Sequence, residues 1–179
     1  MEKLKNEIKE DYGKITYTYT AYHKMKDKNI IINNLIKKSQ ILLTVISATG
    51  FLATIIVNKI ALSWIGGITA VISLFLNIYT KDFKLLDDAK TYKDAADELW
   101  FLRQKYISLL IDFDYLKREE IVSIRDNLLM ETDVINKKYP GTTKYGYKKA
   151  RKALKYNEEQ YFSDEELDKM LPQSLRNNK

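Results

Sequence analysis

Two runs of side chains in this sequence are spaced to act together. Ser63, Gly66, Ala70, Ser73, Asn77 and Thr80 recur at intervals of 3, 4, 3, 4 and 3, which places all six along one helix face. Gln40, Thr44, Ser47, Thr54 and Asn58 hold a similar register upstream, interrupted by Phe51. Hydroxyls and amides set among apolar residues offer hydrogen bonding rather than acid–base chemistry. Left without partners in hydrocarbon they are costly, so each stripe must face something other than lipid. Packing against another helix is one use: small residues let backbones approach, and Ser, Thr and Asn bond across for about 1 kcal/mol each. Lining a water path built from several copies is the other, because one helix pair is too thin to enclose a pore. One stripe can pack while the other lines. The candidates are Gln40, Thr44, Ser47, Thr54, Ser63, Gly66, Ser73 and Asn77, with Asn77 first and Gln40 second for an interior polar role.

The second run is basic. Lys137, Lys138, Lys144, Lys148, Lys149, Arg151, Lys152 and Lys155 fall between Val134 and Asn157 with no acid among them. Tyr139, Tyr145, Tyr147 and Tyr156 are interleaved, and a Pro140-Gly141 turn opens the stretch. Such a patch can hold phosphate from a nucleic acid, a nucleotide or an anionic headgroup, with tyrosines stacking on bases. It can equally be a solvated helix beside an anionic bilayer, or one paired with the acidic run at 158–168.

Other chemistry is poorly supplied. The chain has no cysteine, which removes disulfides, thiol catalysis, iron–sulfur clusters and sulfur-ligated zinc. Its one histidine, His23, has no acid, serine or second histidine at useful spacing and reads as a surface or packing residue. Asp87, Asp88, Asp94, Asp97 and Glu98 alternate with lysines, as on a solvated helix face. No glycine-rich phosphate loop or nucleophile motif occurs, so no enzyme, cofactor or metal centre is expected.

The elements that must carry these residues follow from charge. Net charge is +6, and the mean hydropathy of −0.37 conceals where charge is missing. Residues 1–38 carry nine lysines and five acids, and residues 81–179 carry twenty basic and nineteen acidic residues. Between them, residues 39–80 hold a single charge, Lys59. It divides charge-free stretches at 39–57 and 60–80. Roughly 20 apolar residues cross a ~30 Å hydrocarbon layer as a helix, so each stretch is long enough. Their apolar residues point all round the cylinder, unlike helices of a small soluble bundle. Lysines flank the pair at 24, 26, 28, 37 and 38 and again at 81, 84, 90 and 93, which directs both termini to the cytoplasm. The turn around Asn58 and Lys59 is very short, so the spans lie side by side.

Six glycines and two prolines leave few helix breaks. Leu85, Ala89, Tyr92, Ala96, Leu99, Arg103, Tyr106 and Leu110 keep a 4-3 rhythm, which predicts that the second span continues as one helix to about Leu110. A further helix is expected over 115–136 on Ile121, Ile124, Leu128, Leu129 and Ile135. Tyr12, Ile15, Tyr19, Tyr22 and Met25 mark an amphipathic helix joining the first span, against which Gly13 and the run ITYTYT weigh. Ser163 and Glu166 form a capping box before a short helix at 164–171. The expected fold is an all-α membrane protein: a two-helix transmembrane hairpin with cytoplasmic helices before and after it. Its divisions are 1–38 (N-terminal arm), 39–80 (hairpin), 81–136 (helical arm) and 137–179 (basic segment with a final helix).

The order of parts resembles a known family. A basic aromatic helix containing AYHKM leads into the hairpin. The second span runs on into Ala89, Tyr92, Ala95, Ala96, Leu99, Trp100, Leu102 and Arg103. This pattern, over about residues 10–110, is similar to the SLATT proteins, two-transmembrane effectors associated with SMODS nucleotidyltransferases and SLOG domains in prokaryotic conflict systems. The basic segment lies outside the general pattern and is a possible subfamily mark, one subgroup being found beside reverse transcriptases. The resemblance implies a homo-oligomeric effector in the inner membrane, inert until a partner senses infection and then permeabilising the bilayer. That partner would be a nucleotidyltransferase or reverse transcriptase encoded nearby. It carries over no catalytic residues. A membrane-tethered module that recruits nucleic acid or nucleotide through 137–155 is the competing expectation.

Overall fold

The computed structural model describes residues 1–57 and 60–176 of the 179, and the regular elements among them are all helical. The expected turn at Asn58 and Lys59, with Asn58's place in the first stripe, lies outside the described residues. Helix α1 (Glu2–Val57) is followed by α2 (Ile60–Asp82), α3 (Leu85–Asp112), α4 (Arg118–Lys138), α5 (Lys144–Lys155) and α6 (Asp164–Met170), with a closing 3₁₀ turn at Gln173–Leu175.

The N-terminal arm and the first apolar stretch are one uninterrupted helix of 56 residues. Gly13 and the β-branched run do not break it. The Thr18 hydroxyl donates to the Lys14 carbonyl at 2.9 Å and the Thr20 hydroxyl to the Thr16 carbonyl at 2.8 Å. Meanwhile Ile15, Tyr22 and Met25 bury on the neighbouring helices. Packing outweighs the few tenths of a kcal/mol per residue that Thr and Tyr cost in a helix.

The second apolar helix does not run on to Leu110. It stops at Asp82, and Lys84 takes φ −70° and ψ 57°, the geometry of an inverse γ-turn. The Leu85 N–H donates to the Phe83 carbonyl at 2.7 Å across that turn, and the rings of Tyr79 and Phe83 stack at 4.3 Å beside it. α3 then restarts with the expected face inward: Ala89, Ala96, Leu99 and Tyr106 are buried, and Leu85, Tyr92, Arg103 and Leu110 are partly so.

The core lies between the first half of α1, α3 and α4. Ile8, Ile15 and Tyr22 meet Ala95, Ala96, Leu99, Leu102, Tyr106 and Leu109, closed by Phe113, Ile121, Leu128 and Ile135. Arg103, the charged exception in the α3 rhythm, sits over the Tyr12 ring at 5.5 Å and donates to its hydroxyl at 3.1 Å. Its charge is thus held against an aromatic face of α1. α4 begins later than the pattern suggested, because Phe113 buries and Lys117 stands extended as the cap. The Lys117 N–H donates to the Glu120 carboxylate at 2.8 Å. At the other end Lys138 pairs with Glu98, and the Tyr139 hydroxyl donates to the same carboxylate at 2.8 Å. The Lys138 contact holds the Glu98 carboxyl below the usual range. α6 is capped as its sequence indicates. The Ser163 hydroxyl accepts from the Glu166 N–H at 3.3 Å, and the Glu166 carboxylate accepts from the Ser163 N–H at 3.0 Å.

His23 is half-buried, edge-on to Tyr19 at 4.6 Å, with Lys26 at 3.4 Å from Nδ1. Burial, then the Lys26 charge, lowers its pKa below 6.5, with Asp27 and Asp97 opposing and Lys24 assisting. A histidine lowered on folding takes up its proton more readily in the unfolded chain. Its contribution is therefore intact above pH 6.5 and lost as pH falls toward the folded-state value. Melting temperature should drop on acidification through this window, and His23→Gln should flatten the drop. An equal slope in the variant would assign the acid sensitivity elsewhere.

Candidate functional site

Along 40–57, α1 runs antiparallel to α2, and the polar stripes meet at their seam. Gln40 Nε2 donates to Asn77 Oδ1 at 2.9 Å, and the Ser47 hydroxyl donates to the Gly66 carbonyl at 3.0 Å. The Ser63 hydroxyl donates to Thr54 Oγ1 at 3.0 Å, which donates onward to the Gly50 carbonyl at 2.9 Å. Five of the predicted side chains, with the Gly66 carbonyl, are therefore joined in pairs. Thr80 is satisfied by its own helix, bonding the Leu76 and Asn77 carbonyls at 3.1 and 3.0 Å, while Ala70 faces outward. Thr44 donates to the Gln40 carbonyl at 2.8 Å. With Ser73 it lines a groove of about 400 Å³ at the end of the seam nearest the bundle, together with Lys37, Gln40, Ile41, Val45 and Asn77.

Gly50, which the stripe pattern passes over, is a point of close approach between the helices. A Cβ there would lie 3.1 Å from the Leu62 carbonyl oxygen and 3.2 Å from Gly66 Cα; one on Gly66 would lie 3.1 Å from the Ser47 carbonyl oxygen. The bonds of Ser47 with Gly66 and of Ser63 with Thr54 set the antiparallel register that puts 50 opposite 66.

The apolar residues face the other way. Ile41, Leu42, Val45 and Leu52 of α1 and Trp64, Ile68, Val71, Leu74 and Phe75 of α2 are exposed, and Ile55 and Ile56 are 81% and 82% exposed. Both helices are long and apolar enough to cross a membrane, and no residue of the apolar window in α1 is buried in the fold. Polar groups paired along the seam with apolar faces turned outward are the reverse of a soluble bundle, and an apolar face this extensive marks contact with lipid or protein.

The basic segment is divided by the fold. Lys137 pairs with Asp133 one turn back, and Lys138 with Glu98. Lys144, Lys148, Lys149, Arg151, Lys152 and Lys155 ride on α5, which crosses α1 like a strap. Gly146, Ala150 and Ala153 are its buried face. The Thr143 hydroxyl caps it by accepting from the Gly146 N–H at 3.2 Å, and the Tyr22 hydroxyl donates to the Pro140 carbonyl at 2.6 Å. The interleaved tyrosines are partly engaged: Tyr147 stacks on Tyr17 at 5.8 Å, and Tyr145 lies under Lys28 at 4.6 Å and Lys149 at 5.7 Å. Among the acids proposed as partners of the patch, Glu159 pairs with Lys24 of α1 at 2.6 Å, not with α5. On α3, Asp97 pairs with Lys93 and Glu98 with Lys138.

The family model for SMODS and SLOG-associating 2TM effector domain family 4 matches residues 4–166. The match extends well past 10–110 and takes in the basic residues from Lys137 to Lys155, which are thus part of the family 4 pattern. Neither a search of curated proteins nor one of solved structures returned a match to the chain.

Proposed function

This chain belongs to the SMODS and SLOG-associating 2TM effector domain family 4, and on that premise we propose that it is a membrane-disrupting effector. Its apolar helix pair crosses the inner membrane as a hairpin, and its helical bundle stays in the cytoplasm with both termini. The observation that carries this reading is the inverted seam, with hydroxyls and amides paired across it and branched apolar side chains exposed outside. Lysines flank both ends of the pair on the bundle side and agree with that orientation. In the resting chain the seam satisfies its own polar groups. In the active state, copies exchange the contacts of Gln40 with Asn77, Ser47 with Gly66 and Thr54 with Ser63 for equivalent ones between chains. The stripes and the groove at Thr44 and Ser73 then turn toward water. A partner encoded nearby, a nucleotidyltransferase or reverse transcriptase, supplies the trigger.

The test is dye or ion leakage on expression with the partner genes. Asn77→Leu together with Ser73→Leu should leave the chain in the membrane fraction and abolish leakage and toxicity. Leakage that survives both substitutions would remove the lining role. A chain recovered in the aqueous fraction would remove the membrane reading itself.

A further inference from the structure

The strap formed by α5 splits the surface of α1 into two clefts. The one on the side of the apolar region is about 290 Å³, and among its lining residues are Lys24, Asp27 and Lys28 of α1, Lys149 and Lys152 of α5, and Glu159. Its two carboxylates are already matched, Glu159 with Lys24 at 2.6 Å and Asp27 with Lys26 at 3.1 Å. Lys28, Lys149 and Lys152 remain without a carboxylate partner among the described residues. Two of these ammonium groups share one aromatic ring, since Lys28 and Lys149 both stand over Tyr145. Cations more than a hundred residues apart in sequence are thus gathered into one concave site with an unbalanced positive charge.

We infer that this cleft binds the phosphate of an anionic phospholipid headgroup in the leaflet beneath the bundle. The inference rests on the membrane reading above. Lys28 stands eleven residues before Ser39, about 16 Å along the helix. The headgroup layer accounts for about 5–7 Å of that, which leaves about 10 Å between Lys28 and the phosphates of an undisturbed leaflet, so the bound lipid stands drawn up along α1 with its acyl chain on the aliphatic face below the cleft. The interval is not polar either. Ile31 lines the cleft at 66% exposure and Leu35 follows at 64%, spaced with Lys28 at intervals of 3 and 4 along one face. A cationic cleft continuing into exposed aliphatic side chains fits a headgroup joined to an acyl chain. Nucleic acid is less well served at this cleft, because Tyr145, the one tyrosine among its described lining residues, is occupied by Lys28 and Lys149.

The test uses the full chain reconstituted in phosphatidylcholine vesicles with and without phosphatidylglycerol. Retained lipid is read by native mass spectrometry, and insertion is read separately by flotation. Phosphatidylglycerol should be retained in preference. Replacing Lys28, Lys149 and Lys152 by Gln should cut that preference by at least about tenfold, with helicity and flotation unchanged. Removing equal charge at Lys3, Lys9 and Lys169 should not. Normal flotation without lipid preference, or equal loss in both triple variants, would overturn the site and leave the membrane reading standing; failed flotation of the native chain would remove both. Inorganic phosphate or a short oligonucleotide displacing the lipid at low concentration would reassign the cleft to a soluble ligand.

Discussion

Leucine in place of Gly50 is expected to separate α1 from α2. The Cβ alone would press on the Leu62 carbonyl oxygen at 3.1 Å and on Gly66 Cα at 3.2 Å. Both are backbone atoms and cannot rotate aside, so the helices must part. Overpacking of this kind costs about 3 kcal/mol. Loss of the neighbouring bond from Ser47 to Gly66 brings the total to about 4 kcal/mol, on the order of a thousandfold in the equilibrium between paired and parted helices. The chain has no cysteine of its own, which allows a clean readout. Thr54→Cys with Ser63→Cys should crosslink almost fully in the native background, where the hydroxyl oxygens are 3.0 Å apart. Added Gly50→Leu should remove the crosslink. Gly67→Leu is the control, because a Cβ there meets nothing within 4 Å, and it should crosslink like the parent. Equal yields from the two leucine variants would show that the close crossing is dispensable.

The second large effect is expected at Gly146. A Cβ there falls 2.7 Å from Met25 Sδ and 2.9 Å from its Cγ, and 3.2 Å from the Ala21 carbonyl oxygen. Met25 can yield, since a thioether side chain has several rotamers. The carbonyl cannot. Gly146→Ala should therefore be mild, while Gly146→Leu should lift α5 from α1 at a cost of about 3 kcal/mol, roughly a hundredfold in the undocked population. Tryptic cleavage within α5 follows that population when opening is fast. It should accelerate by that factor while the core of α1, α3 and α4 keeps its melting temperature. Cleavage at the native rate would mean that α5 is held by something other than this contact. Gly13→Ala, in an open stretch of α1, should instead stabilise the helix by about 0.5–1 kcal/mol.

Much of this arrangement is written locally. The charge gap from 39 to 80, the 4-3 rhythm of α3 and the capping box at Ser163 each depend on residues within a few turns of one another, and each appears in the fold. The break at Phe83 and Lys84 is not written that way, because neither glycine nor proline marks it and the apolar rhythm resumes immediately. What interrupts the helix is one backbone conformation at Lys84. The stripes were legible as a shared face, but periodicity leaves their partner open. The joining of Gln40 to Asn77 and of Ser63 to Thr54 required knowing how α1 lies on α2. The strap of α5 lay further out of reach. Tyr145 and Tyr147 could be read as ligand-stacking residues because nothing near them in sequence reveals that α1 supplies Tyr17 and Lys28 as their partners.

The uninterrupted course of α1 has a mechanical consequence. At about 1.5 Å per residue, its 56 residues make a rod of about 84 Å that carries core side chains at one end and the seam at the other. Such a rod can serve as a drive shaft: a twist applied where Ile8 and Tyr22 are gripped is carried along α1 toward Ser47 and Thr54. α2 meets the bundle through the turn at Lys84 and meets the shaft along the seam. Rotation of the shaft by about 100°, the angle between successive residues, would carry Gln40, Ser47 and Thr54 out of mesh with α2 and bring an aliphatic row into their place.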